Sequence, residues 1–194
     1  MVAVADSTAV TGCASALAEE LKVDPSVALR FARARQGDLS KAKPFLRADL
    51  EWREKKHPEA VTQADCPTAI ASGLWRMLGC TPAGVPVLFV NVGMWDPRKY
   101  DVDEYERCII YVFEKLLGLG RGGQFVIVID MTGWKLSHAL YMRVIARLLS
   151  TLQDHYPERM SNTLVCRVPG IFASAWGIIK HFLNPATASK VRGS

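Results

Sequence analysis

The glycine-rich segment Gly118–Gly123 is the first part of the sequence whose residue spacing could support chemistry. It reads Gly-Leu-Gly-Arg-Gly-Gly and satisfies the GxGxxG pattern. In dinucleotide-binding proteins such glycines follow a strand and open a helix, so that backbone amides face a pyrophosphate. Here they follow a predicted helix and precede a predicted strand, Phe125–Asp130. We therefore interpret the segment as a helix C-terminus and a loop.

Asp130 ends that apolar strand and is the next candidate for chemistry. An aspartate in this position holds magnesium in P-loop enzymes, but the sequence contains no GxxxxGK[ST] phosphate loop. A phosphorylated-aspartate loop would have a lysine directly after the aspartate, where this chain has Met131. The ordinary interpretation is that Asp130 caps the turn that follows the strand. A nucleotide-dependent enzyme remains an alternative that rests only on Asp130 and the order of the elements.

The histidines and cysteines form no catalytic or metal-binding pattern. The histidines are His57, His138, His155 and His181. None of them has metal-ligand spacing to another histidine or to a cysteine. The 5 cysteines are odd in number and include no CxxC pair, which favours free thiols in a reducing cytosol. A GxSxG nucleophile motif is also absent. The sequence therefore predicts no catalytic residue, no metal and no cofactor, and a protein that is not an enzyme.

The positive charge is concentrated in one N-terminal segment, between Arg30 and Lys56. The whole chain has 24 basic and 19 acidic residues, for a net charge of +5. This segment alone contains nine basic and four acidic residues, so the rest of the chain sums to zero. Such a field favours an anionic partner, namely a lipid surface, a phosphate group or nucleic acid. A solvated helix surface is the alternative, and nucleic acid lacks any accompanying motif.

Length and composition exclude several classes of protein. A chain of 194 residues with 49% hydrophobic and 22% charged residues is typical of one globular domain, or of one domain with a small helical attachment. No apolar run reaches the length of a membrane-spanning helix. The N-terminus has no basic region before an apolar stretch, so we expect no secretory signal. These features predict a cytoplasmic protein that contacts membranes only peripherally and transiently.

The N-terminal part of the chain predicts helices. Residues 1–12 are small and polar, and we expect them to be disordered. Residues 13–60 predict a helical extension, with one helix beginning at Asp24-Pro25 and ending at Gly37. Asp38 is predicted to cap the following helix. Pro44 predicts that this helix is kinked or starts late, because proline removes one backbone hydrogen bond.

Residues 61–194 predict an α/β domain. Residues 59–83 form a connector with one helical piece near Thr68–Leu78. After it, β-branched apolar runs alternate with amphipathic segments, which favours a mainly parallel sheet with right-handed crossovers and helices on both faces. The predicted strands are Pro86–Val92, Phe125–Asp130 and Thr163–Val168, and the predicted helices are Asp101–Gly118, Leu136–His155 and Gly170–Leu183.

Five separated segments occur in the order in which they are found in the CRAL-TRIO family of lipid-binding domains, and they resemble that family. These segments are Leu29–Arg35, Asp130–Gly133, Tyr156–Arg159, Val168–Gly170 and Phe182–Lys190. The similarity covers about residues 24–191, and Asp38, Lys41, Ala42 and Leu50–Arg53 also match. The resemblance is to the phosphatidylinositol/phosphatidylcholine transfer proteins of the family. It implies a lipid buried between a sheet and helices, and transport of that lipid without bond chemistry.

The resemblance also implies which residues bind a phosphoinositide headgroup. They are Glu158 and Arg159 after Tyr-Pro, Thr187 and Lys190 in the Thr-x-Ser-Lys stretch, and Arg35 in an N-terminal helix. Lys190 and Arg35 supply cations for the inositol phosphate, and Thr187 supplies a hydroxyl. Glu158 accepts hydrogen bonds from inositol hydroxyls or orients Lys190. In the alternative interpretation Glu158 and Lys190 form a salt bridge near a helix end, and Arg35 lies on a solvated helix.

Two departures from the family pattern shape the expected function. Phe125 and Ile127 occupy strand positions where members that bind phosphatidylcholine have serine and threonine, so a sterol, isoprenoid or other apolar molecule is the expected second ligand. The chain ends at Ser194, and we expect it to lack the C-terminal strand and gate helix of the family. An unlidded groove would bind lipid weakly, stay at a membrane or be covered by a protein partner. The alternative function is therefore a non-exchanging protein-interaction or adaptor domain.

Overall fold

The computed structural model describes residues 7–99, 101–119, 123–170, 177 and 191–193. The chain divides into two units, of which the first consists of Met1–His57 and Asp154–Glu158 and the second of Pro58–Gln153 and Arg159–Ser194. The break after His57 lies near the boundary that we predicted after residue 60. The sequence did not indicate that Asp154–Glu158 belongs with the N-terminal helices.

Helix α1 spans Ser7–Leu21 and starts inside the segment that we predicted to be disordered. Val10, Cys13 and Leu17 recur at helical spacing and are buried in the core of the first unit. The prediction of disorder over residues 1–12 is therefore wrong from Ser7 onward, because packing against the neighbouring helices stabilises this turn. Residues 1–6 lie outside the described residues.

Two aspartates begin the next two helices, as predicted. Helix α2 spans Pro25–Ala34, and the Asp24 carboxylate accepts a backbone N–H of its first turn at 2.8 Å. Helix α3 spans Leu39–Lys56, and the Asp38 carboxylate accepts a backbone N–H at 3.2 Å. Each carboxylate satisfies an N–H that has no partner within its helix.

Helix α3 tolerates the proline in its interior. The helix begins directly after Asp38 and continues through Pro44, so the predicted late start is wrong. Ala42 and Leu46, which flank the proline, are fully buried in the core of the first unit. Their burial offsets the one backbone hydrogen bond that proline removes. The helix ends at His57, which adopts a left-handed φ of 46°.

The second unit alternates short helices and strands. Its elements are 3₁₀ turns at Pro58–Ala60 and Gln63–Asp65, α4 (Pro67–Ala71), β1 (Trp75–Cys80), β2 (Pro86–Asn91), a 3₁₀ turn at Val92–Met94, α5 (Val102–Leu119), β3 (Phe125–Asp130), a 3₁₀ helix at Leu136–Tyr141, α6 (Met142–His155), β4 (Met160–Cys166) and β5 (Val191–Gly193). Strand β3 has the predicted bounds and β2 differs by its last residue, whereas β4 begins and ends earlier than predicted.

The helical piece predicted near Thr68–Leu78 is largely wrong. Helix α4 stops at Ala71, and Gly73 follows with a φ of 76°, which a helix cannot accommodate. Residues Trp75–Cys80 instead form strand β1, which pairs antiparallel with β2. Because most of β1 is exposed, its residues show no alternation that would have predicted a strand.

Of two further predicted helices, one has a different start and the other lies mostly outside the described residues. The segment predicted as one helix over Leu136–His155 starts as a 3₁₀ helix and becomes α-helical only at Met142. The helix predicted over Gly170–Leu183 lies outside the described residues except for Gly170 and Gly177. Among the helices that the structure describes, none is both long and apolar enough to cross a lipid bilayer.

The described strands form one mainly parallel sheet in the order β1-β2-β3-β4-β5. Only β1 is antiparallel to its neighbour, and β2 to β5 run parallel to one another. The fold class is thus confirmed as a helical N-terminal part followed by a mainly parallel sheet with flanking helices. Val191–Gly193 pairs with β4, and the expected lack of a further C-terminal strand and gate helix stays a prediction.

One face of the sheet is covered by the crossover helices. Strands β2, β3 and β4 are sequential neighbours, so right-handed crossovers place α5 and α6 on the same face. The rings of Phe113 in α5 and Phe125 in β3 lie 4.6 Å apart in an edge-to-face arrangement. Leu88, Ile127 and Thr163 are aligned across the three strands and are buried on this face. The core of the second unit therefore lies between α5 and the sheet.

Candidate functional site

The second face of the sheet is apolar but is not fully buried. Phe89, Val128 and Leu164 are aligned across β2, β3 and β4, one residue beyond the buried row. Because successive strand residues point to opposite faces, these side chains lie on the face away from α5. Phe89 and Val128 are half-buried, as are Val87 and Val126 of the same face, and Leu164 is 42% exposed. We call this surface the apolar sheet face, and its side chains suit contact with alkyl chains.

The structure shows on which sheet face the two β3 residues lie that we expected to line the ligand cavity. Phe125 is fully buried and packs on Phe113, and Ile127 lies on the same covered face. The side chains of β3 that lie on the apolar sheet face are Val126 and Val128. Both are apolar, so this surface also lacks the serine and threonine hydroxyls of members that bind phosphatidylcholine. The alternation of positions along β3 could have identified these valines from the sequence.

Asp130, at the carboxyl end of β3, accepts hydrogen bonds from neighbouring residues. Its carboxylate accepts hydrogen bonds from the Thr132 N–H at 3.0 Å and from the Arg167 Nε at 2.8 Å, and Arg167 Nη2 makes a second contact. The Arg167 guanidinium holds the pKa of Asp130 well below its usual range. The interpretation of Asp130 as the cap of the following turn is confirmed. A carboxylate engaged in this way gives the nucleotide-enzyme alternative no support.

Three of the five cysteines are buried, and the described residues contain no metal-binding cluster. Cys13, Cys66 and Cys108 are buried, and burial raises the pKa of all three thiols. A raised pKa keeps a thiol protonated and poorly nucleophilic. Within the described ranges no cluster of three or more His, Cys, Asp or Glu side chains is arranged to hold a metal ion.

Glu158 and Arg159 lie just after the end of helix α6, at the position that the resemblance to the family implied. Glu158 adopts a left-handed φ of 59°, which is uncommon for a residue with a side chain. Arg159 Nη1 donates to the Gly123 carbonyl at 2.9 Å, and the Arg159 carbonyl accepts the Phe125 N–H at 2.9 Å. Through these two hydrogen bonds Arg159 anchors the loop that leads into β3, and its guanidinium keeps its positive charge.

Arg35 lies at the C-terminus of α2 and is half-buried. Its guanidinium lies over the Phe45 ring, 3.7 Å from the centroid, and Nη1 donates to the Ala34 carbonyl at 3.2 Å. Burial lowers the pKa of Arg35, and the negative charge of Asp154 opposes this effect. The side chain thus packs on the helical unit and does not extend freely into solvent.

The predicted headgroup residues fall into three groups in the structure. Glu158 and Arg35 belong to the first unit, and Arg159 belongs to the second. Thr187 and Lys190 lie outside the described residues. Their assembly into one headgroup site, and the alternative salt bridge between Glu158 and Lys190, remain predictions.

Comparison with known proteins is consistent with this geometry. The CRAL/TRIO domain matches residues 71–193. The chain is 30% identical over 177 residues to "Alpha-tocopherol transfer protein-like" of Homo sapiens, which covers 87% of this chain and 51% of that protein. It is 27% identical over 178 residues to "Phosphatidylinositol transfer protein CSR1" of Eremothecium gossypii, which covers 84% of this chain and 40% of that protein.

A solved structure matches the fold. The crystal structure of Sfh5 superimposes with a TM-score of 0.76 over 96% of this chain and 76% of that chain, at 19% sequence identity. At this identity the match demonstrates the fold alone. The chain also spans only part of its curated relatives, from 25% of "CRAL-TRIO domain-containing protein T23G5.2" of Caenorhabditis elegans to 51% of the tocopherol transfer-like protein.

Proposed function

Because the chain belongs to the CRAL-TRIO family, whose members bind and transfer lipids, we propose that it binds a phospholipid of the phosphatidylinositol class and exchanges it between membranes. The observation that supports this proposal most strongly is the apolar sheet face, where Phe89, Val128 and Leu164 form an aligned, incompletely buried row. Binding and exchange require no bond chemistry, so the proposed function is not enzymatic.

The physical basis of exchange is the similarity between the bilayer interior and the apolar sheet face. Each methylene group removed from water contributes about 0.8 kcal/mol, so a diacyl lipid does not leave a membrane for water. Contact with Val126, Val128 and Leu164 replaces contact with neighbouring acyl chains. The free energy of moving the acyl chains from the bilayer to the protein is therefore close to zero. Selection among lipids then depends on the polar headgroup.

We assign headgroup selection to Glu158, Thr187 and Lys190, with Arg35 and Arg159 as additional cations. The phosphatidylinositol transfer protein among the relatives supports a phosphatidylinositol headgroup. The tocopherol transfer-like relative supports a second, apolar ligand without a phosphate. The apolar character of Val126 and Val128 favours such a ligand over phosphatidylcholine.

Docking to an anionic membrane is assigned to the basic surface of α3. Several of its cations are neutralised locally, since Lys41 pairs with Asp38 and Arg53 pairs with Asp49. Arg47, Lys55 and Lys56 are exposed and form no salt bridge within the described part of the chain. Their positive charges are therefore attracted to the negatively charged surface of an anionic membrane.

The decisive experiment compares two glutamate variants of exposed leucines. Leu164→Glu places a charge on the apolar sheet face, and Leu119→Glu places one at the end of α5, where the leucine is 56% exposed. After incubation with vesicles that contain phosphatidylinositol, the protein is re-isolated and its bound lipid is measured by mass spectrometry. We expect wild type and Leu119→Glu to retain similar amounts of lipid, and Leu164→Glu to retain much less.

Two results would contradict the proposal. Equal lipid retention by both variants would show that the apolar sheet face does not hold the ligand. Absence of retained lipid in wild type, together with a persistent protein complex, would favour the adaptor alternative. Far-UV circular dichroism of both variants establishes that any loss of lipid is not caused by unfolding.

A further inference from the structure

A cavity of about 940 Å³ opens in the second unit, lined by the segments that directly follow β2 and β3. Its walls come mainly from Gly93–Lys99 and from Gly133–Tyr141, with α4 at one side. The cavity includes none of the five residues predicted to bind the phosphoinositide headgroup, and nothing in the proposed function uses it.

The two walls meet at a pair of glycines. A Cβ atom on Gly93 would lie 2.7 Å from the Thr132 carbonyl oxygen, which is closer than any side chain tolerates. A Cβ atom on Gly133, which has a φ of 81°, would lie 2.9 Å from the Gly93 Cα. Because only glycine permits this approach, the backbone holds the two walls in a fixed position.

The cavity has an excess of positive charge. Arg98 pairs with Asp96, with Nε 3.0 Å from Oδ1 and Nη2 3.3 Å from Oδ2. The ammonium groups of Lys99 and Lys135 are paired with no carboxylate in the described ranges of the chain, and both residues are exposed. After the Arg98–Asp96 pair is discounted, two positive charges remain at the cavity, and an anion would neutralise them.

A buried histidine supplies a directed donor beside these cations. His138 is 6% exposed and lines the cavity, and its ring lies 5.1 Å from the Trp95 ring. Its Nδ1 accepts the Lys135 backbone N–H at 3.3 Å, so the neutral ring has its proton on Nε2. Within the described residues that Nε2–H has no hydrogen-bond partner. Burial and the nearby charge of Lys135 lower the pKa of His138, while Asp96 opposes them.

We infer that this cavity binds a phosphate-bearing anion, with His138 Nε2–H and the ammonium groups of Lys99 and Lys135 directed at the phosphate oxygens. The cavity is far larger than a phosphate group, so it accommodates a polar group attached to the phosphate as well. The phosphate comes either from a small soluble phosphomonoester or from a lipid headgroup. Met94 and Leu140, exposed at 53% and 84%, line the cavity and suit contact with a lipid.

The test uses the fluorescence of Trp95 and Trp134, whose rings lie near His138. The full chain is titrated in one arm with inositol 1-phosphate, and in the other with phosphatidylcholine vesicles with or without phosphatidic acid. We expect a saturable change that Lys135→Ala weakens about tenfold or more, since the variant removes a charge-assisted hydrogen bond. The matched control is Lys115→Ala, a charge removal on α5 outside the cavity.

The two arms identify the source of the phosphate. A Lys135-dependent response to inositol 1-phosphate assigns a soluble phosphomonoester, and one that requires phosphatidic acid vesicles assigns a lipid headgroup. Side-chain NMR of His138 gives a second readout, because a bound phosphate shifts the Nε2–H resonance. Absence of saturable binding in both arms, or equal weakening by Lys135→Ala and Lys115→Ala, would overturn the inference. Neither outcome bears on lipid retention by the apolar sheet face, so the two proposals fail separately.

Discussion

The two faces of the parallel sheet are built from alternate residues of the same strands, yet they differ in burial. Leu88, Ile127 and Thr163 lie on the covered face and are almost inaccessible to solvent. The next residue of each strand, namely Phe89, Val128 and Leu164, is also apolar, but it is half-buried or exposed. The covered face stabilises the fold, and the apolar sheet face leaves hydrophobic surface available for a ligand. Hydrophobicity alone therefore does not distinguish core from binding surface in this protein.

The largest expected effect is a difference in unfolding free energy between alanine variants of two adjacent residues of β3. Phe125→Ala removes a fully buried ring that packs on Phe113, and such truncations cost about 3–5 kcal/mol of unfolding free energy. Val126→Ala, on the apolar sheet face, should cost about 1 kcal/mol or less because its side chain is only half-buried. Urea unfolding of both variants measures the difference. Similar losses would mean that both faces contribute equally to the core.

The strands of the covered core were predictable from the sequence, whereas the edge strand was not. Residues Val126–Ile129 form a continuous β-branched run, so burial and propensity indicate the same structure. The exposed strand β1 is defined by its pairing with β2, as in the alignment of Met77 with Leu88. That pairing connects separate segments of the chain, and no local pattern encodes it. The first part of helix α1, from Ser7 to residue 12, was missed for the same reason, since its stability depends on packing against α2.

The candidate site was predictable only in part. The resemblance to the family implied Glu158, Thr187 and Lys190 as headgroup residues, which stays a prediction, and the local geometry of Arg159 and Arg35 could not be read from motifs. Arg159 donates to the Gly123 carbonyl, and Gly123 is distant in sequence. The cavity beside His138 was also missed, because its walls come from two loops that meet only after the sheet has formed.

The second prediction tests whether headgroup and chains are recognised separately. Lys190→Ala should lower the transfer of fluorescent phosphatidylinositol between vesicles about tenfold, since a cation for the phosphate is lost. Transfer of an uncharged apolar lipid should not change, because the apolar sheet face is intact. Lys115→Ala serves as the charge control, and circular dichroism monitors the fold. If phosphatidylinositol transfer is unchanged in Lys190→Ala, the headgroup assignment is wrong.

The third prediction adds a hydroxyl to each face of β3. Val128→Thr gives the apolar sheet face the kind of group that meets a choline phosphate, and it should raise phosphatidylcholine retention a few-fold with little change in stability. Ile127→Thr, on the covered face, should lower the unfolding free energy by about 1–3 kcal/mol, because its hydroxyl is buried. It should leave phosphatidylcholine retention unchanged. Increased retention in Ile127→Thr alone would reverse the assignment of the faces.

The smallest effect concerns the ion pair at the carboxyl end of β3. Arg167 lowers the pKa of Asp130 in the folded state, so this carboxylate contributes stability above its unfolded pKa of about 3.9. The contribution is lost as the pH falls from about 4 toward the lower folded pKa. Arg167→Gln should therefore unfold more easily than wild type at neutral pH, and the difference should shrink in acid. The difference is small because the Arg167 side chain is 65% exposed.

Urea unfolding of wild type and Arg167→Gln at neutral pH and at about pH 3 measures this change. Arg98→Gln, which removes the exposed partner of Asp96, provides a control at a site outside the sheet. A pH-independent difference between wild type and Arg167→Gln would show that Arg167 acts through packing and not through the charge of Asp130. In that case the end of β3 would be stabilised in the same way as the covered face, by contact area, and its charge would contribute little.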